Sequence, residues 1–138
     1  VETDIIVGSR NYNFDIEIKT IIAGTNTWEV PWILFDYIDQ DNYYYVLLHK
    51  NGMLELSQVI DGQRETYIAS IKTPSTAFQW HNFRINPNNT TITVALDGKY
   101  QLTAPRNSTG TVFRIKISSS IPGHFWLANI AKMNWMPE

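Results

Sequence analysis

The chain has 138 residues, of which 43% are hydrophobic and 17% are charged, and its formal net charge at pH 7 is −2. A chain of this length buries a core of its own, so residues 1–138 are expected to form a single domain. The charge balance excludes the basic stripe that binds DNA or RNA, and no apolar run is long enough for membrane insertion. Cysteine is absent from the sequence, which excludes disulfides, thiolate metal sites and thiol nucleophiles.

The first half of the chain predicts strands joined by a polar turn. Residues 14–20 alternate strictly between apolar and polar side chains, as a strand with one solvent-facing side does. A more apolar strand is predicted over residues 32–37. The polar residues 39–42 then form a tight turn that leads back into a strand over residues 43–49.

Further strands are separated by pairs of residues that tolerate a positive φ. The turn signals are Asn51-Gly52, Asp61-Gly62 and Asp97-Gly98. The remaining strands are predicted over residues 53–60, 64–71, 79–86, 90–96, 99–104, 112–118 and 125–133. About ten short strands with turns every 8–12 residues or so predict an all-β fold, a two-sheet antiparallel β-sandwich of the jelly-roll kind.

Four segments of the sequence carry a family resemblance. They are LFDYIDQDNYY at residues 34–44, LSQVIDG at 56–62, WHNFRI at 80–85 and VALDG at 94–98. In this order and spacing they resemble the concanavalin A-like lectin/glucanase superfamily, and in particular its laminin-G-like jelly-roll domains. The resemblance implies two antiparallel sheets, one of them curved around a groove, and an extracellular or cell-surface location. Asp36 replaces an arginine that is usual in the family, so no ligand contact of that arginine transfers to this chain.

Strand alternation predicts which side chains line that groove. The more uniform apolar side of the strand over residues 32–37 is expected between the sheets; it consists of Ile33, Phe35 and Tyr37. Trp32 and Asp36 then point to the open face. If Asp36 pairs with Tyr45 in the next strand, Tyr45 and His49 share that face, and Glu55 joins them from the strand that follows.

These side chains, with Trp28 in the preceding loop, have the chemistry of a sugar-binding site. Aromatic rings stack on the apolar C–H faces of sugars, while carboxylates and imidazoles hydrogen-bond the hydroxyls. The alternative is that Trp32 and Tyr45 only hold the sheet together and that Trp28 covers the edge of the sandwich. The predicted ligand-binding residues, on an aromatic and acidic concave face, are Trp28, Trp32, Asp36, Tyr45, His49 and Glu55.

The sequence favours a non-catalytic module over an enzyme. A glycosidase needs two carboxylates about 5–9.5 Å apart, and Asp36 and Glu55 are the one pair that strand pairing would bring face to face. The Glu-x-Asp-x-x-Glu signature of retaining glycosidases with this kind of fold is absent from the sequence. No set of residues has the spacing of a nucleophilic or zinc site, so no catalytic residue is assigned.

Calcium is the one cofactor that the resemblance suggests. Concanavalin-like domains often hold a structural Ca²⁺ through Asp carboxylates and backbone carbonyls. Asp39 and Asp41 offer such oxygens within one turn, although turns also select Asp for its side-chain-to-backbone hydrogen bonds.

Three functions stay open at this level. The first is a carbohydrate-binding, lectin-like module that recognises a polysaccharide or another glycan as part of a larger multidomain protein. The second is an adhesion or structural domain of a cell-surface or secreted protein. The third is a polysaccharide hydrolase or lyase.

Overall fold

The computed structural model describes residues 3–64, 68–108, 113–118 and 126–137. These residues form twelve β-strands, and no helix among them could cross a membrane. The strands are β1 (Thr3–Val7), β2 (Tyr12–Ile22), β3 (Trp32–Asp39), β4 (Asn42–Leu48), β5 (Met53–Ile60), β6 (Gln63–Arg64), β7 (Ala69–Lys72), β8 (His81–Pro87), β9 (Thr91–Leu96), β10 (Tyr100–Pro105), β11 (Phe113–Ser118) and β12 (Leu127–Pro137). The expected all-β class is confirmed.

Two antiparallel sheets make up the sandwich. One has seven strands in the order β1-β11-β3-β4-β5-β6, and β7 pairs with another stretch of β5. The other has five strands in the order β10-β9-β8-β2-β12. Strands that are neighbours in a sheet are often distant in sequence, so the chain crosses repeatedly between the sheets, as it does in jelly rolls. The predicted two-sheet antiparallel sandwich is confirmed.

The hydrophobic core lies between the sheets and follows from side-chain alternation. The first nine residues of β2 alternate between buried and half-buried side chains, and β9 alternates in the same way. Phe14 and Ile16 from the five-stranded sheet belong to one buried cluster with Ile33, Phe35 and Leu56 from the seven-stranded sheet. Burying each such side chain stabilises the fold by roughly 1.5–3 kcal/mol. Because this core is complete by itself, side chains on the outer sheet faces are available for other roles.

The turn signals in the sequence correspond to left-handed backbone. Asp61 and Gly62 have φ values of 50° and 77°, and Asp97 and Gly98 have values of 56° and 65°. Two consecutive residues with positive φ are the mark of a tight hairpin turn whose twist matches that of the strands. At the third signal Gly52 has a φ of 91°. The three predicted turns therefore join the strands on either side of them.

Some strands differ from the sequence prediction. β1 was not predicted, because its sequence TDIIV is short and lacks clear alternation. The predicted strand over residues 64–71 is observed as two short strands, β6 and β7, and residues 65–67 lie outside the described residues. Residues 112 and 125, the predicted starts of two later strands, also lie outside them. β12 extends to Pro137, four residues beyond its predicted end.

Candidate functional site

A second apolar cluster lies on the outer face of the seven-stranded sheet, apart from the core. Its buried members are Val30, Leu34, Tyr45, Leu47, Val59 and Ala77. Four half-buried aromatic side chains pack against it: Trp28, Trp32, Tyr37 and Tyr43. These four and Tyr45 are called the aromatic row below. An antiparallel sheet face that is turned to solvent is usually polar, so contiguous aromatic surface here marks an interaction site.

The aromatic row is continuous. The edge of Trp28 meets Trp32 at a centroid distance of 6.5 Å, and the Trp32 ring is stacked on Tyr45 at 4.5 Å and 11°. Tyr43 lies 6.2 Å from Tyr45 and is stacked with Tyr37 at 5.4 Å. The Trp32 indole Nε1 also donates a hydrogen bond of 2.9 Å to the Trp28 carbonyl oxygen. Each ring is therefore held by its neighbours, and Tyr45, which is fully buried, forms the base beneath Trp32.

A network of polar side chains lies beside the row on the same face. The Glu55 carboxylate accepts hydrogen bonds from His49 Nε2 at 2.7 Å, Ser57 Oγ at 2.7 Å and Arg64 Nη2 at 3.0 Å. His49 Nδ1 lies 3.0 Å from the Thr27 hydroxyl, which ties the loop before β3 to the network. Glu55 and His49 are 0% and 2% exposed, whereas the Arg64 side chain is 48% exposed. Of the three side chains that donate to Glu55, Arg64 is thus the one that reaches solvent.

The network fixes the charge of its members. Burial alone would raise the pKa of Glu55, but the hydrogen bonds from His49, Ser57 and Arg64 outweigh it and hold that pKa below its ordinary value. Glu55 is therefore ionised at neutral pH. Burial, and after it the negative charge of Glu55, raises the pKa of Tyr45 to about 12. The Tyr45 hydroxyl stays protonated and accepts a hydrogen bond from Arg64 Nε.

Two cations lie over rings of the aromatic row. The Arg64 guanidinium carbon is 5.9 Å from the centroid of the Tyr45 ring, and Lys116 Nζ is 4.5 Å from the centroid of the Tyr37 ring. Both distances are within the range of a cation–π contact. Lys116 and Arg114 share this face because Ile115, between them in β11, points into the core. The acidic side chain of the network, Glu55, is buried and paired with Arg64, whereas Asp41 is exposed and, after burial and Tyr37, raises the pKa of Tyr43 in the row, so both signs of charge lie near the row.

The loop that carries Trp28 is held from both sides. The buried Glu29 carboxylate accepts hydrogen bonds from the Asn26 backbone amide at 2.9 Å and from its side-chain amide at 2.7 Å. Lys50 Nζ donates to the Thr25 carbonyl oxygen at 2.9 Å. A Cβ atom at Gly24 would lie 2.4 Å from Glu29 Oε2, so this position requires glycine. Trp28 is therefore presented on an ordered loop beside the sheet.

Asp36 does not lie on the outer face, and the prediction that placed it there was wrong. Tyr45 pairs with Leu34. Lys116 and Arg114 are two residues apart on β11, but their partners on β3, Leu34 and Tyr37, are three apart, which defines a β-bulge. Asp36 is in the bulge with a φ of 46°. The extra residue turns Asp36 inward and Tyr37 outward, so Tyr37 is in the aromatic row, contrary to its predicted place between the sheets.

Asp36 has a structural role in the interior. Its carboxylate accepts hydrogen bonds from Arg106 Nε at 2.8 Å and Nη2 at 3.0 Å, from Ser108 Oγ at 2.6 Å and from Tyr12 Oη at 2.9 Å. The Asp36 and Arg106 side chains are both 0% exposed. Since Asp36 points inward and Glu55 lies on the outer face, the face-to-face carboxylate pair considered for catalysis does not form.

Asp39 and Asp41 lie in the turn between β3 and β4, as predicted. The Asp39 carboxylate oxygen accepts hydrogen bonds from the Asp41 backbone amide at 2.8 Å and from the Asn42 side chain at 3.0 Å. These are the bonds by which an Asp side chain closes a turn. Among the described residues no group of three histidine or acidic side chains could hold a metal ion. The geometry therefore gives calcium no support at this turn, and its binding stays a prediction.

The sequence interpretation overlooked three members of the site. Tyr43 was open to prediction, because strand alternation places it on the same face as Tyr45. Lys116 follows the apolar–polar alternation of β11 and was likewise accessible from the pattern. Arg64 gave no signal, because its contact with Glu55 depends on a two-residue strand beside β5.

Comparisons with known proteins identify the fold. No protein-family model matches the chain, and a search of curated proteins found no match either. A solved structure of a double variant of human galectin-16 has a TM-score of 0.74 at 10% identity, covering 100% of this chain and 95% of that chain. Sheep galectin-11 in complex with glycerol gives 0.67 at 12% identity, covering 99% and 96%. The carbohydrate-binding module CBM66 from Bacillus subtilis gives 0.67 at 13% identity, covering 96% and 81%.

At these identities the likeness shows the fold alone. The chain shares the β-sandwich fold of these two galectins and of this carbohydrate-binding module. The two-sheet sandwich that the resemblance implied is thereby confirmed, and membership of the concanavalin A-like superfamily stays a prediction. The narrower likeness to laminin-G-like domains stays a prediction.

Proposed function

We propose that this domain is a non-catalytic glycan-binding module and that the outer face of the seven-stranded sheet is its binding surface. The observation that carries the proposal is the aromatic row, five rings in contact on the face of the seven-stranded sheet that points away from the core. The fold, which this chain shares with a carbohydrate-binding module and with galectins, supports the same class of function.

The chemistry of the row suits a sugar chain. The half-buried rings of Trp28, Trp32, Tyr37 and Tyr43 offer flat apolar surface to the C–H faces of sugars. The Arg64 guanidinium and the tyrosine hydroxyls supply hydrogen bonds at the margin of that surface. Because the buried network beneath holds these groups in place, little conformational freedom remains to be lost on binding.

A non-catalytic role fits the positions of the carboxylates better than hydrolysis does. Glu55 is fully buried and already accepts hydrogen bonds from three side chains, and Asp36 points into the interior. Neither carboxylate is placed to protonate a glycosidic oxygen or to attack a sugar ring. We therefore expect binding without turnover.

The test is a glycan-binding screen of the wild-type domain and two tryptophan variants. Trp32→Ala removes the half-buried ring that is stacked on Tyr45 and is expected to weaken binding at least about tenfold, as truncation of an aromatic anchor does. Trp80→Ala is the matched control, because Trp80 is 49% exposed in the segment before β8 and belongs to neither apolar cluster. Thermal unfolding of each variant separates loss of binding from loss of fold.

A second variant guards against a folding defect in the first. Tyr37→Ala removes a half-buried ring that contributes nothing to the core between the sheets, and it is also expected to weaken binding. The proposal would be contradicted if Trp32→Ala, Tyr37→Ala and Trp80→Ala bound glycan equally well, or if the wild type bound no member of a broad glycan panel. Either result would favour an adhesion or spacer domain. Reducing sugar or unsaturated product released during the screen would favour an enzyme.

Two expectations from the sequence extend the proposal. An extracellular or cell-surface location, as part of a larger multidomain protein, is tested by fractionating cells that express the native protein. A structural calcium ion is tested by repeating the screen with a chelator. Unchanged binding and unchanged thermal stability in the chelator would contradict the calcium expectation without affecting the proposed function.

A further inference from the structure

We propose that the domain has a second sugar-binding site, a cleft at one end of the sandwich, and that this cleft takes a single uncharged sugar unit. The cleft has a volume of about 260 Å³, and its walls include Ile38, Tyr44, Gln58, Ile60 and Asn107. Tyr43 is the one member of the aromatic row that also lines it. The inference goes beyond the proposed function, since binding in the cleft does not require the aromatic row.

The cleft lies where the inner face of the seven-stranded sheet continues past the end of the core. Leu54 and Leu56 of β5 belong to the core cluster, and strand alternation puts Gln58 on the same side. Tyr44 of β4, another member of that cluster, is directly opposite Gln58. Gln58 is 8% exposed, and burying a polar side chain costs free energy unless its hydrogen bonds are satisfied. The partners of Gln58 therefore define what the cleft offers to a ligand.

A chain of hydrogen bonds fixes the orientation of two amide side chains in the cleft. The Asn107 backbone amide donates to Tyr44 Oη at 3.0 Å, so the Tyr44 hydroxyl proton is free to donate to Asn107 Oδ1 at 2.7 Å. The same Oδ1 accepts a hydrogen bond of 2.7 Å from Gln58 Nε2. The atoms that remain for a ligand are the Asn107 Nδ2 group, which donates, and Gln58 Oε1, which accepts.

Gln58 Oε1 lacks a partner although its residue is buried. Within the described residues it accepts no hydrogen bond, and it is not among the fully buried atoms without a partner. It therefore lies at the surface of the cleft that Gln58 lines. In the same part of the chain Asn107 Nδ2 has no acceptor either. One donor group and one acceptor thus lie close together between the apolar side chains of Ile38 and Ile60.

The charge of the cleft favours a neutral ligand. Asp36 is the one acidic side chain among its described lining residues, no cation lines it there, and Arg106 donates to both Asp36 oxygens. Burial raises the pKa of Tyr44, so this hydroxyl is protonated at neutral pH. An anion would find no counter-charge in these walls and would be repelled by Asp41, whose charge reaches Tyr43.

The size and the polar groups of the cleft fit one sugar unit. Pockets for drug-sized ligands begin at roughly 300 Å³, so about 260 Å³ suits a single ring rather than a chain. Each hydroxyl of a sugar both donates and accepts, so neighbouring hydroxyls can meet Asn107 Nδ2 and Gln58 Oε1 together. The C–H face of the same ring can lie against Ile60 and the Tyr44 ring.

The experiment is an NMR titration of the whole isotope-labelled domain with glucose, galactose, mannose and fructose. At least one of these sugars is expected to shift the side-chain amide signals of Gln58 and Asn107, with a dissociation constant on the order of 1 mM. Glucuronate and galacturonate add a carboxylate to the same rings as glucose and galactose. We expect the acid to bind at least about fivefold more weakly than its neutral counterpart.

Two variants make the test specific to the cleft. Gln58→Leu removes the acceptor at nearly constant volume, and Ile38→Trp fills the cleft from a position that is 40% exposed. Each is expected to weaken sugar binding at least about tenfold. Ile71→Trp is the matched control for Ile38→Trp, because Ile71 is 37% exposed in β7 and does not line the cleft. Thermal unfolding of each variant separates loss of binding from loss of fold.

The outcomes separate this inference from the proposed function. Trp32→Ala is expected to leave binding of the single sugar unchanged, since Trp32 does not line the cleft. The inference would be overturned if no neutral sugar shifted the Asn107 signal, or if the shift persisted in both Gln58→Leu and Ile38→Trp. Either result would leave the glycan screen of the aromatic row unaffected. Loss of the single sugar in Trp32→Ala would instead place it on the row, and equally tight binding of the acids would overturn the ligand class.

Discussion

Replacing Asp36 with asparagine tests the buried ion pair that holds the β-bulge. Arg106 donates to both carboxylate oxygens of Asp36, so either orientation of the new amide sets its NH₂ group against a guanidinium N–H. The Arg106 charge is 0% exposed and would lose its counter-ion. Removing one partner of a buried ion pair costs about 3–5 kcal/mol, so we expect a loss of that size.

The size of the domain converts that loss into a change in melting temperature. Unfolding entropy is about 2.1 cal/mol/K per residue, which gives roughly 0.29 kcal/mol/K for a chain of 138 residues. A loss of about 3–5 kcal/mol therefore lowers Tm by roughly 10–17 °C. The assay is thermal unfolding followed by circular dichroism, with urea unfolding as a second measure.

Asp61→Asn is the matched control for this prediction. Asp61 also has a left-handed backbone, with a φ of 50°, but it is exposed in the turn between β5 and β6. Asparagine tolerates a left-handed backbone, so neither substitution is expected to strain the chain. The two variants then differ in that only Asp36→Asn removes a buried charge. We expect Asp61→Asn to stay within about 0.5 kcal/mol of wild type. A Tm loss for Asp36→Asn of only about 3 °C, near 1 kcal/mol, would mean that the buried ion pair contributes far less than expected.

Three further predictions follow from the same structure. Glu55→Gln is expected to destabilise the fold by about 2–3 kcal/mol at neutral pH, since the hydrogen bonds to Glu55 include one from a guanidinium. The pKa of Glu55 is lowered in the folded state, so its contribution to stability is present above about pH 4.3 and is lost as pH falls through the folded pKa. In urea unfolding at a series of pH values, Glu55→Gln should lose less stability on acidification than the wild type does. An equal loss in both proteins would contradict the lowered pKa of Glu55. Tyr45, with a pKa raised to about 12, should be among the last tyrosines to show tyrosinate absorbance on alkaline titration. The stability of the fold should fall between about pH 10 and the folded pKa of Tyr45. A difference spectrum between wild type and Tyr45→Phe that titrates near pH 10 would argue against the raised pKa. Gly52→Ala should lower the free energy of unfolding in urea more than Gly98→Ala does, because a Cβ at Gly52 would lie 2.4 Å from the Ser75 carbonyl oxygen. Nothing lies within 4 Å of a Cβ at Gly98, so there only the left-handed backbone costs about 1 kcal/mol. Equal losses of free energy in the two variants would contradict the predicted clash at Gly52.

The regular parts of the fold were predictable from the sequence. In β9 and in the first nine residues of β2 a period of two separates buried from half-buried side chains. The Asp61-Gly62 and Asp97-Gly98 pairs fix their turns through local conformational preference, which the sequence carries directly. The same local rules placed Trp32 and Tyr45 on the outer face, as the structure has them.

The site was predicted less well because a single bulge breaks the alternation. The extra residue in β3 turns Asp36 inward and Tyr37 outward, and no feature of their own segment predicts this bulge. The reason for it lies 70 residues away, where Arg106 supplies the buried counter-charge for Asp36. The place of Arg64 in the site likewise depends on its hydrogen bonds to Glu55 and Tyr45, which lie on other strands of the sheet. Charge neutralisation between distant residues is a property of the fold, so the burial of Asp36 and Glu55 could not be predicted from their own segments.

An NMR titration of the whole domain with a glycan from the screen, followed through the tryptophan indole signals, tests whether the aromatic row binds the glycan. We predict that the signals of Trp28 and Trp32 shift on binding, while those of Trp80, outside the row, and Trp126, which is 1% exposed, stay in place. Shifts centred on Trp80, or saturation with glycan while Trp28 and Trp32 remain unmoved, would contradict it.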